Sequence, residues 1–446
     1  MTRIFPLFLV LCVAMTSCSP ADDTSTTSRD KSVTINSDHK MSVTEKDWAF
    51  WRGPTLNGKA APSEKPPTEW SEEKNILWSY DIPGKGYSSP CIVQGKIYFS
   101  TSDEKKQTIS LICLDQKSGK QLWIKDIYQG ELRDIESAHR DSCVASTTPV
   151  SNGEALFFTY PTLDEAFLVA LDLDGKELWK ASLGPAKHKF IFSSSPGLWK
   201  NLVFGLNAGM NGAHFLIAFD QKSGKQAWKV TLPDNDTQET HASPVVLNVA
   251  GRDQLILAGP SNLFSYDPAT GEQNWWYFIG SKTFVGMPAV HGKSVFASSG
   301  YNTHRMVRIL AEATGGKNVT DTEYEEWNIK PRGFKAPYVP SILYHDGLLY
   351  GVEDETAHLA CFDPETGKKI WESDQEEGHC YSSPMLADGK IYVFQDDSGL
   401  CRIYQPGREC KVLAENELDF GAYASPVFLD NKIYLRTNGK FYCIGK

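Results

Sequence analysis

Short apolar runs of strand length, separated by polar turns, recur along the chain from about residue 75 to its end. One phrase, LICLDQKSGKQLW, has four related copies, and the five begin at residues 111, 168, 216, 263 and 359. Each copy has an apolar strand, an Asp that can cap a turn, a Gly that tolerates positive φ, and a Trp four residues after that Gly. The phrase therefore predicts a recurring β-hairpin.

A second apolar phrase precedes each hairpin by about twenty residues, as in SSPCIVQGKIYFS, and supplies an inner strand. Its eight copies begin at residues 88, 146, 193, 242, 286, 340, 382 and 424. The two phrases together make four strands, and periods of roughly 40 to 50 residues are typical of propellers and solenoids. The sequence therefore predicts an all-β, eight-bladed β-propeller of four-stranded antiparallel blades, in which blade five uses Trp327 after an insertion and blade seven has no equivalent Trp.

The last copy supplies only three strands before the chain ends at Lys446. An unpaired strand edge invites aggregation, and closed rings avoid it. The segment NILWSYDIP at 75–83 is an orphan strand with Trp78 where other outer strands carry theirs. We therefore expect residues 75–83 to complete the blade formed by residues 424–446 and to close the ring.

The tryptophans of the outer strands share one place after a turn, which predicts packing between blades rather than a platform for a quinone. They are Trp78, Trp123, Trp179, Trp228, Trp275 and Trp371. The repeated Asp residues cap turns and need no further role.

The first residues carry one positive charge, at Arg3, and an apolar run, which predicts a signal peptide over residues 1–17. Small residues before Cys18 are typical of a lipidation site, and ordinary cleavage near Ser17 is the alternative. Residues 18–46 are polar and rich in Ser and Thr, which predicts a lipid-anchored disordered tether before a single propeller domain over residues 47–446. Because residue 19 is not Asp, the anchor is expected at the bacterial outer membrane, facing the periplasm.

A formal net charge of −10 excludes the clustered cations that nucleic-acid binders need. The loop LDLDGKEL lacks the later ligands of a calcium site, and no CxxC pair or His/Cys spacing suits zinc, so no metal site is predicted. Cys401 and Cys410 flank a short turn centred on Gln405-Pro406, and we expect a disulfide between them.

The Asp, Thr/Ser-Gly-Lys and Trp pattern resembles the pyrroloquinoline-quinone-type propeller repeat from Trp48 to Lys446. The resemblance implies two branches: quinoprotein dehydrogenases, and the propeller lipoprotein of the outer-membrane β-barrel assembly machinery. Quinoprotein alcohol dehydrogenases typically carry adjacent cysteines beside the cofactor, and this chain has no Cys-Cys pair. It also offers no residue that maps onto their catalytic Asp or calcium ligands.

Candidate binding residues lie three positions before the Pro of the inner strand, where the chain crowds the mouth of the central channel. They are Tyr87, His241, Tyr381 and Tyr423, with His379 nearby and Glu136, His139, Arg140 and Asp141 added by blade two. Converging aromatic and imidazole groups suit a small ligand or a peptide. The alternative is that these rings only fill the channel.

These features predict a non-catalytic, exported scaffold that binds an envelope protein or peptide, with no cofactor. One alternative is a dehydrogenase of alcohols or sugars that uses pyrroloquinoline quinone and calcium. A further alternative is a carbohydrate- or polymer-binding module.

Overall fold

The computed structural model describes the chain over residues 26–30, 32–36, 39–133, 142–185, 187–209, 214–233, 239–259, 261–374 and 378–446. Within these ranges the chain forms β-strands and no helix. Eight antiparallel sheets of four main strands form an eight-bladed β-propeller, which confirms the predicted fold. The middle strands are largely buried on both faces because every blade packs between two neighbours, whereas several outer strands are largely exposed on one face.

The first half of the chain contains β1 (Thr26–Arg29), β2 (Ile76–Asp81), β3 (Cys91–Val93), β4 (Lys96–Asp103), β5 (Thr108–Asp115), β6 (Gln121–Gln129), β7 (Val150–Ser151), β8 (Ala155–Pro161), β9 (Glu165–Asp172), β10 (Glu177–Pro185), β11 (Gly197–Trp199), β12 (Leu202–Asn207), β13 (Phe215–Asp220) and β14 (Gln226–Thr231). Blades 1, 2 and 3 are β3–β6, β7–β10 and β11–β14.

The second half contains β15 (Glu239–Thr240), β16 (Val245–Val249), β17 (Arg252–Ala258), β18 (Asn262–Tyr266), β19 (Gln273–Phe278), β20 (Thr283–Phe284), β21 (Ala289–His291), β22 (Ser294–Ser298), β23 (Met306–Leu310), β24 (Lys317–Asn318), β25 (Glu325–Ile329), β26 (Leu343–His345), β27 (Leu348–Val352), β28 (Leu359–Phe362), β29 (Lys369–Glu372), β30 (Met385–Ala387), β31 (Lys390–Phe394), β32 (Leu400–Tyr404), β33 (Val412–Glu417), β34 (Val427–Leu429), β35 (Lys432–Arg436) and β36 (Lys440–Ile444). Blades 4 to 7 begin at β16, β21, β26 and β30, and β34–β36 belong to blade 8.

The ring closes as the sequence predicts, because β2 pairs antiparallel with β36 and completes blade 8. Trp78 lies opposite Cys443 in this pairing. Its ring lies 5.9 Å from that of Phe441 and 6.2 Å from that of Tyr434. The two ends of the domain are therefore held together by one strand pair and its side-chain packing.

The outer-strand tryptophans lie against the turn of the next blade. A Cβ added to Gly119 would meet the Trp78 ring at 2.4 Å, so this position needs glycine for space as well as for its φ of 69°. Four indole N–H groups donate to carbonyls of the following blade: Trp179 to Gln221, Trp228 to Pro268, Trp327 to Pro364 and Trp371 to Gly407. The tryptophan at this repeat position thus links one blade to the next.

The segment at 48–60 crosses the ring on the face opposite the start of the inner strands. Its backbone and side chains bond successively to Ile92 in blade 1, Ser151 in blade 2, Ile342 beside blade 6 and Leu386 in blade 7. Ala49 makes the contact with blade 2 and Arg52 the contact beside blade 6, and these blades lie diametrically opposite in a ring of eight. Trp51, between them, therefore lies across the channel axis.

Part of the segment predicted as a disordered tether is ordered in the structure. Thr26–Arg29 pairs antiparallel with β14 as a fifth strand of blade 3, and Val33 is buried beside it. The exposed backbone edge of an outer strand offers hydrogen bonds to any extended segment, even a polar one. Cys18 and the predicted signal peptide lie outside the described residues.

The predicted disulfide is wrong, because Cys401 and Cys410 are both free and lie apart in register. Cys401 is buried and pairs with Asn416. Cys410 is exposed in a longer turn, which is closed by a hydrogen bond from the N–H of Gln405 to the carbonyl of Lys411. The register follows this wider turn rather than a tight turn at Gln405-Pro406.

Among the residues that the structure describes, no helix has the length and apolar character needed to cross a membrane.

Candidate functional site

A cavity of about 990 Å³ lies at the mouth of the channel, where the inner strands begin. The residue three positions before the inner-strand Pro, or before Ile342 in blade 6, lines it in all eight blades: Tyr87, Ser146, Ser193, His241, Val285, Val339, Tyr381 and Tyr423. The structure therefore brings together the five described candidates, His379 included. Glu136, His139, Arg140 and Asp141 lie outside the described residues.

One side of the cavity is a continuous aromatic wall from blades 7, 8 and 1. The rings of Tyr87 and Tyr423 stack with centroids 4.0 Å apart, and Tyr381 follows at 5.5 Å from Tyr423. His379 meets Tyr381 edge-on at 4.3 Å. These rings offer apolar surface with polar edges, which suits a ligand that is partly apolar.

The orientation of His379 is set by a buried carboxylate. Its Nδ1 lies 3.0 Å from both carboxylate oxygens of Asp396, which also accepts the backbone N–H of Tyr381 at 2.9 Å. Burial raises the pKa of Asp396, while its hydrogen bond and ion pair with His379 oppose that shift. The imidazole is thus anchored at the cavity wall.

Across the cavity, Glu239 lies between two histidines. Its oxygens are 3.7 Å from Nδ1 of His188 and 3.6 Å from Nε2 of His241, and all three side chains are almost fully buried. Burial alone would raise the pKa of Glu239, but its interaction with His241 and the N–H of Lys189 at 2.9 Å lower it. Burial lowers the pKa of His188 to about 4, so this imidazole is neutral beside an ionised carboxylate at neutral pH.

The tautomer of His188 follows from its second partner, Asn207. The Asn207 amide nitrogen donates to the carbonyls of Leu183 and Pro185, so its oxygen faces Nε2 of His188 at 3.0 Å as an acceptor. The Nε2 atom must then carry the proton. The Nδ1 lone pair of the neutral ring consequently faces Glu239.

Two lysines line the cavity near this cluster, Lys189 and Lys282. Within the described part of the chain neither makes an ion pair, although Lys189 Nζ lies 4.8 Å from the centre of the Phe190 ring. Asp354 lies on the wall of blade 6, and burial raises its pKa. The cavity therefore carries both signs of charge at separate places.

A belt of hydroxyl groups surrounds the channel just below the mouth, and the sequence analysis missed it. The residue directly before the inner-strand Pro, or before Ile342, accepts the equivalent backbone N–H of the preceding blade. These bonds run from Ser89 to Thr148, Thr148 to Ser195, Ser195 to Ser243, Met287 to Ser341, Ser341 to Ser383, Ser383 to Ser425 and Ser425 to Ser89, all at 2.9 to 3.0 Å. The signal was visible as Ser or Thr in seven of the eight inner-strand phrases. Met287 has no hydroxyl, so the belt is interrupted between blades 4 and 5.

Of the residues that the structure describes, no three His, Cys, Asp or Glu side chains are grouped so as to hold a metal ion. Calcium requires six to eight oxygen ligands, largely from carboxylates and carbonyls.

Solved structures share the fold. A europium-containing methanol dehydrogenase matches with a TM-score of 0.64 and 13% identity, over 91% of this chain and 99% of that chain. BamB from Moraxella catarrhalis matches with a TM-score of 0.57 and 13% identity, over 83% of this chain and 99% of that chain. Sqt1 from Saccharomyces cerevisiae matches with a TM-score of 0.58 and 11% identity, over 83% and 98%. At these identities the likeness concerns the fold alone.

No curated protein sequence matches the chain significantly. The family described as outer membrane protein assembly factor BamB matches residues 68–189, 110–373 and 327–409. These matches overlap and together span most of the propeller. The chain therefore belongs to the family of the outer membrane protein assembly factor BamB.

Proposed function

We propose that this protein is a non-catalytic scaffold of the cell envelope whose cavity-bearing face binds a protein or peptide partner. The observation that carries the proposal is the cavity of about 990 Å³, to which every blade contributes a side chain at one repeat position. Membership of the BamB family supports binding of a protein partner in general.

The chemistry of the cavity suits a peptide segment. The aromatic wall of Tyr87, Tyr381 and Tyr423 provides contact area with little loss of side-chain entropy on binding. Histidine, hydroxyl and charged groups on the remaining wall provide hydrogen bonds of both directions. A volume of this size lies at the upper end of the roughly 300 to 1,000 Å³ that is typical of ligand sites.

The proposal is tested by measuring binding of a fluorescein-labelled pool of random hexapeptides to the protein purified in detergent. Tyr381→Ala and Tyr423→Ala should each weaken binding at least fivefold, because each removes part of the wall. Leu122→Ala, at an exposed outer-strand position, is the matched control and should bind normally. Unchanged binding in both tyrosine variants, or calcium- and quinone-dependent dye reduction by the protein, would contradict the proposal.

The envelope location rests on a lipid anchor at Cys18, by which the propeller would be held at the outer membrane facing the periplasm. Cys18→Ala should release the protein from membranes into the soluble fraction. If the variant still partitions into detergent like the native protein, this anchor is wrong.

A further inference from the structure

The belt hydroxyls that line the cavity act as hydrogen-bond acceptors and have O–H protons available for a ligand. A hydroxyl can donate one hydrogen bond and accept two. Six belt hydroxyls line the cavity, those of Ser89, Thr148, Ser195, Ser243, Ser383 and Ser425. Each accepts a backbone N–H, and none donates its own proton to a protein acceptor within the described residues. The cavity thus presents O–H donors from six of the eight blades.

An ionised carboxylate has two oxygens with about four lone-pair sites, so it can accept hydrogen bonds from belt hydroxyls. Each belt hydroxyl also keeps one lone pair, so the lysines of the cavity, and not the belt, decide the sign of the ligand. The ammonium groups of Lys189 and Lys282 line the same cavity without an ion pair among the described residues, and they favour a negative ligand.

Three carboxyl groups also line the cavity, those of Glu239, Asp354 and Glu355. Glu355 forms an ion pair with Lys335. Glu239 is held between His188 and His241 and accepts the N–H of Lys189 at 2.9 Å. Burial raises the pKa of Asp354, which favours its neutral form.

The segment at 48–60 crosses the face opposite the mouth, and Trp51 from this segment lines the cavity. A chain end that enters from the mouth can reach the hydroxyl belt without passing through the ring. The apolar faces of Trp51 and the tyrosine wall are available to the terminal side chain.

We infer that the cavity captures a carboxylate-bearing end, either the C-terminus of a polypeptide or a free carboxylic acid, through the hydroxyl belt and the two lysines. This inference rests on the proposed function and specifies its ligand. The terminal carboxylate accepts protons from the belt, and the last side chain packs on the aromatic wall.

The test compares two fluorescein-labelled hexapeptide pools, identical except for a free carboxylate or an amide at the C-terminus, by fluorescence anisotropy with the full-length protein. The free-carboxylate pool should bind at least tenfold more tightly than the amidated pool. Benzoate serves as the small-acid arm: binding of benzoate without the free-carboxylate pool identifies a free acid as the ligand and still supports the inference. Equal binding of both pools overturns the inference and leaves peptide binding intact. Absence of binding by both pools and by benzoate at 1 mM overturns the inference as well.

Two lysine variants keep the test independent of folding. Lys189→Gln and Lys282→Gln remove no ion pair among the described residues, so the melting temperature should not change. Each should weaken binding of the free-carboxylate pool at least threefold more than binding of the amidated pool. Lys106→Gln, on the exposed surface, is the matched control. If neither cavity variant changes the ratio of the affinities for the two pools, the lysines do not contact the carboxylate.

Discussion

The region that closes the ring and the seam between blades 4 and 5 hold their neighbours by different means. Blade 8 combines both ends of the domain, and Arg436 in β35 reaches into blade 1. Its Nη1 donates to the Ser88 hydroxyl at 2.7 Å and to the Ser100 carbonyl at 2.6 Å, both in buried surroundings. The belt is intact here, since the N–H of Ser425 meets the Ser89 hydroxyl at 3.0 Å.

The seam between blades 4 and 5 lacks the belt hydroxyl, because Met287 occupies its place. Arg252 instead donates to the carbonyl of Ala313 at 2.6 Å, in the segment inserted into blade 5. The same insertion supplies β24, which pairs in parallel with β19 of blade 4. Trp275 donates to Gln254 of its own blade rather than to the next blade.

The comparison shows that the hydroxyl missing from the belt between blades 4 and 5 is replaced by contacts of the segment inserted into blade 5. The seam between blades 4 and 5 is spanned by inserted chain, so its contacts are distributed over several weak bonds. Closure of blade 8 depends on the β2–β36 pair, on buried groups such as Arg436 and on the segment that precedes β2. In that segment Glu64 accepts the N–H of Asn431 and Trp70 donates its backbone N–H to Asn416. Damage to the closing region should therefore affect the whole ring more strongly.

Deletion of residues 47–83 should produce the largest effect, because it removes both β2 and the segment that crosses the ring. We expect loss of the cooperative thermal transition, measured by circular dichroism. Deletion of residues 26–36 is the control and should lower stability by no more than about 1 to 2 kcal/mol, since it removes only an added edge strand. A 47–83 deletion that melts like the full-length protein would show that the ring does not need this closure.

Single substitutions compare the two regions directly. Arg436→Met should lower the free energy of unfolding by about 3 kcal/mol, because it leaves buried acceptors without their charged donor. Arg252→Met should lower it by only about 1 kcal/mol, since other bonds cross that seam. Urea denaturation of both variants measures the difference. Equal losses would refute the contrast between the regions.

The contact between blades 3 and 4 near the cavity mouth should make the free energy of unfolding depend on pH. The closing region of blade 8 and the seam between blades 4 and 5 lack this dependence. The pKa of His188 is lowered to about 4 by burial, from a model-compound value near 6.5, so the unfolded chain binds the proton more tightly. The stabilisation that neutral His188 contributes to the folded state is complete above pH 6.5 and decreases as the pH falls toward 4. This group should cost about 2 kcal/mol of stability between pH 7 and pH 5.

The measurement is urea denaturation at both pH values for the native protein and for His188→Gln. The variant should lose most of this pH dependence, although Glu239, His241 and His214 lie around the site. The lowered pKa of Glu239 reinforces the loss only at more acidic pH, below its ordinary value. An unchanged pH dependence in the variant would exclude His188 as the source.

The smallest effect concerns the gap in the belt. Met287→Ser places a hydroxyl where the equivalent residues of seven blades have one, but it also removes a buried side chain. Met287→Ala removes the same side chain without adding the hydroxyl. The Ser variant should therefore be more stable than the Ala variant by about 1 kcal/mol, as measured by thermal denaturation. A Ser variant that is no more stable than the Ala variant would show that the belt bond cannot form there.

The fold and part of the candidate site could be predicted because they depend on local patterns. The Asp, Gly and Trp of each hairpin lie within about a dozen residues, and their repetition indicates the blade number. The orphan strand around Trp78 indicated how the ring closes. Five channel-mouth residues were found because equivalent positions of a symmetric ring converge on its axis.

Other features depended on contacts that no local pattern describes. Trp51 reaches the cavity only because its segment crosses to blades that are distant in the sequence. The partners of Glu239 include His188, which is 51 positions earlier in the chain. Cys401 pairs with Asn416 and not with Cys410, because the turn between the two strands is wider than the sequence indicated.

The sequence by itself determined the repeat, the number of blades, the closing strand and the place of the tryptophans, because turn chemistry and strand alternation act between near neighbours. Tertiary structure alone decided that the segment at 48–60 crosses the channel, that the serines form a belt, and that Glu239 is flanked by two histidines. Those properties arise where separate blades meet around one axis. There, burial and the direction of each hydrogen bond depend on partners that the linear sequence does not place side by side.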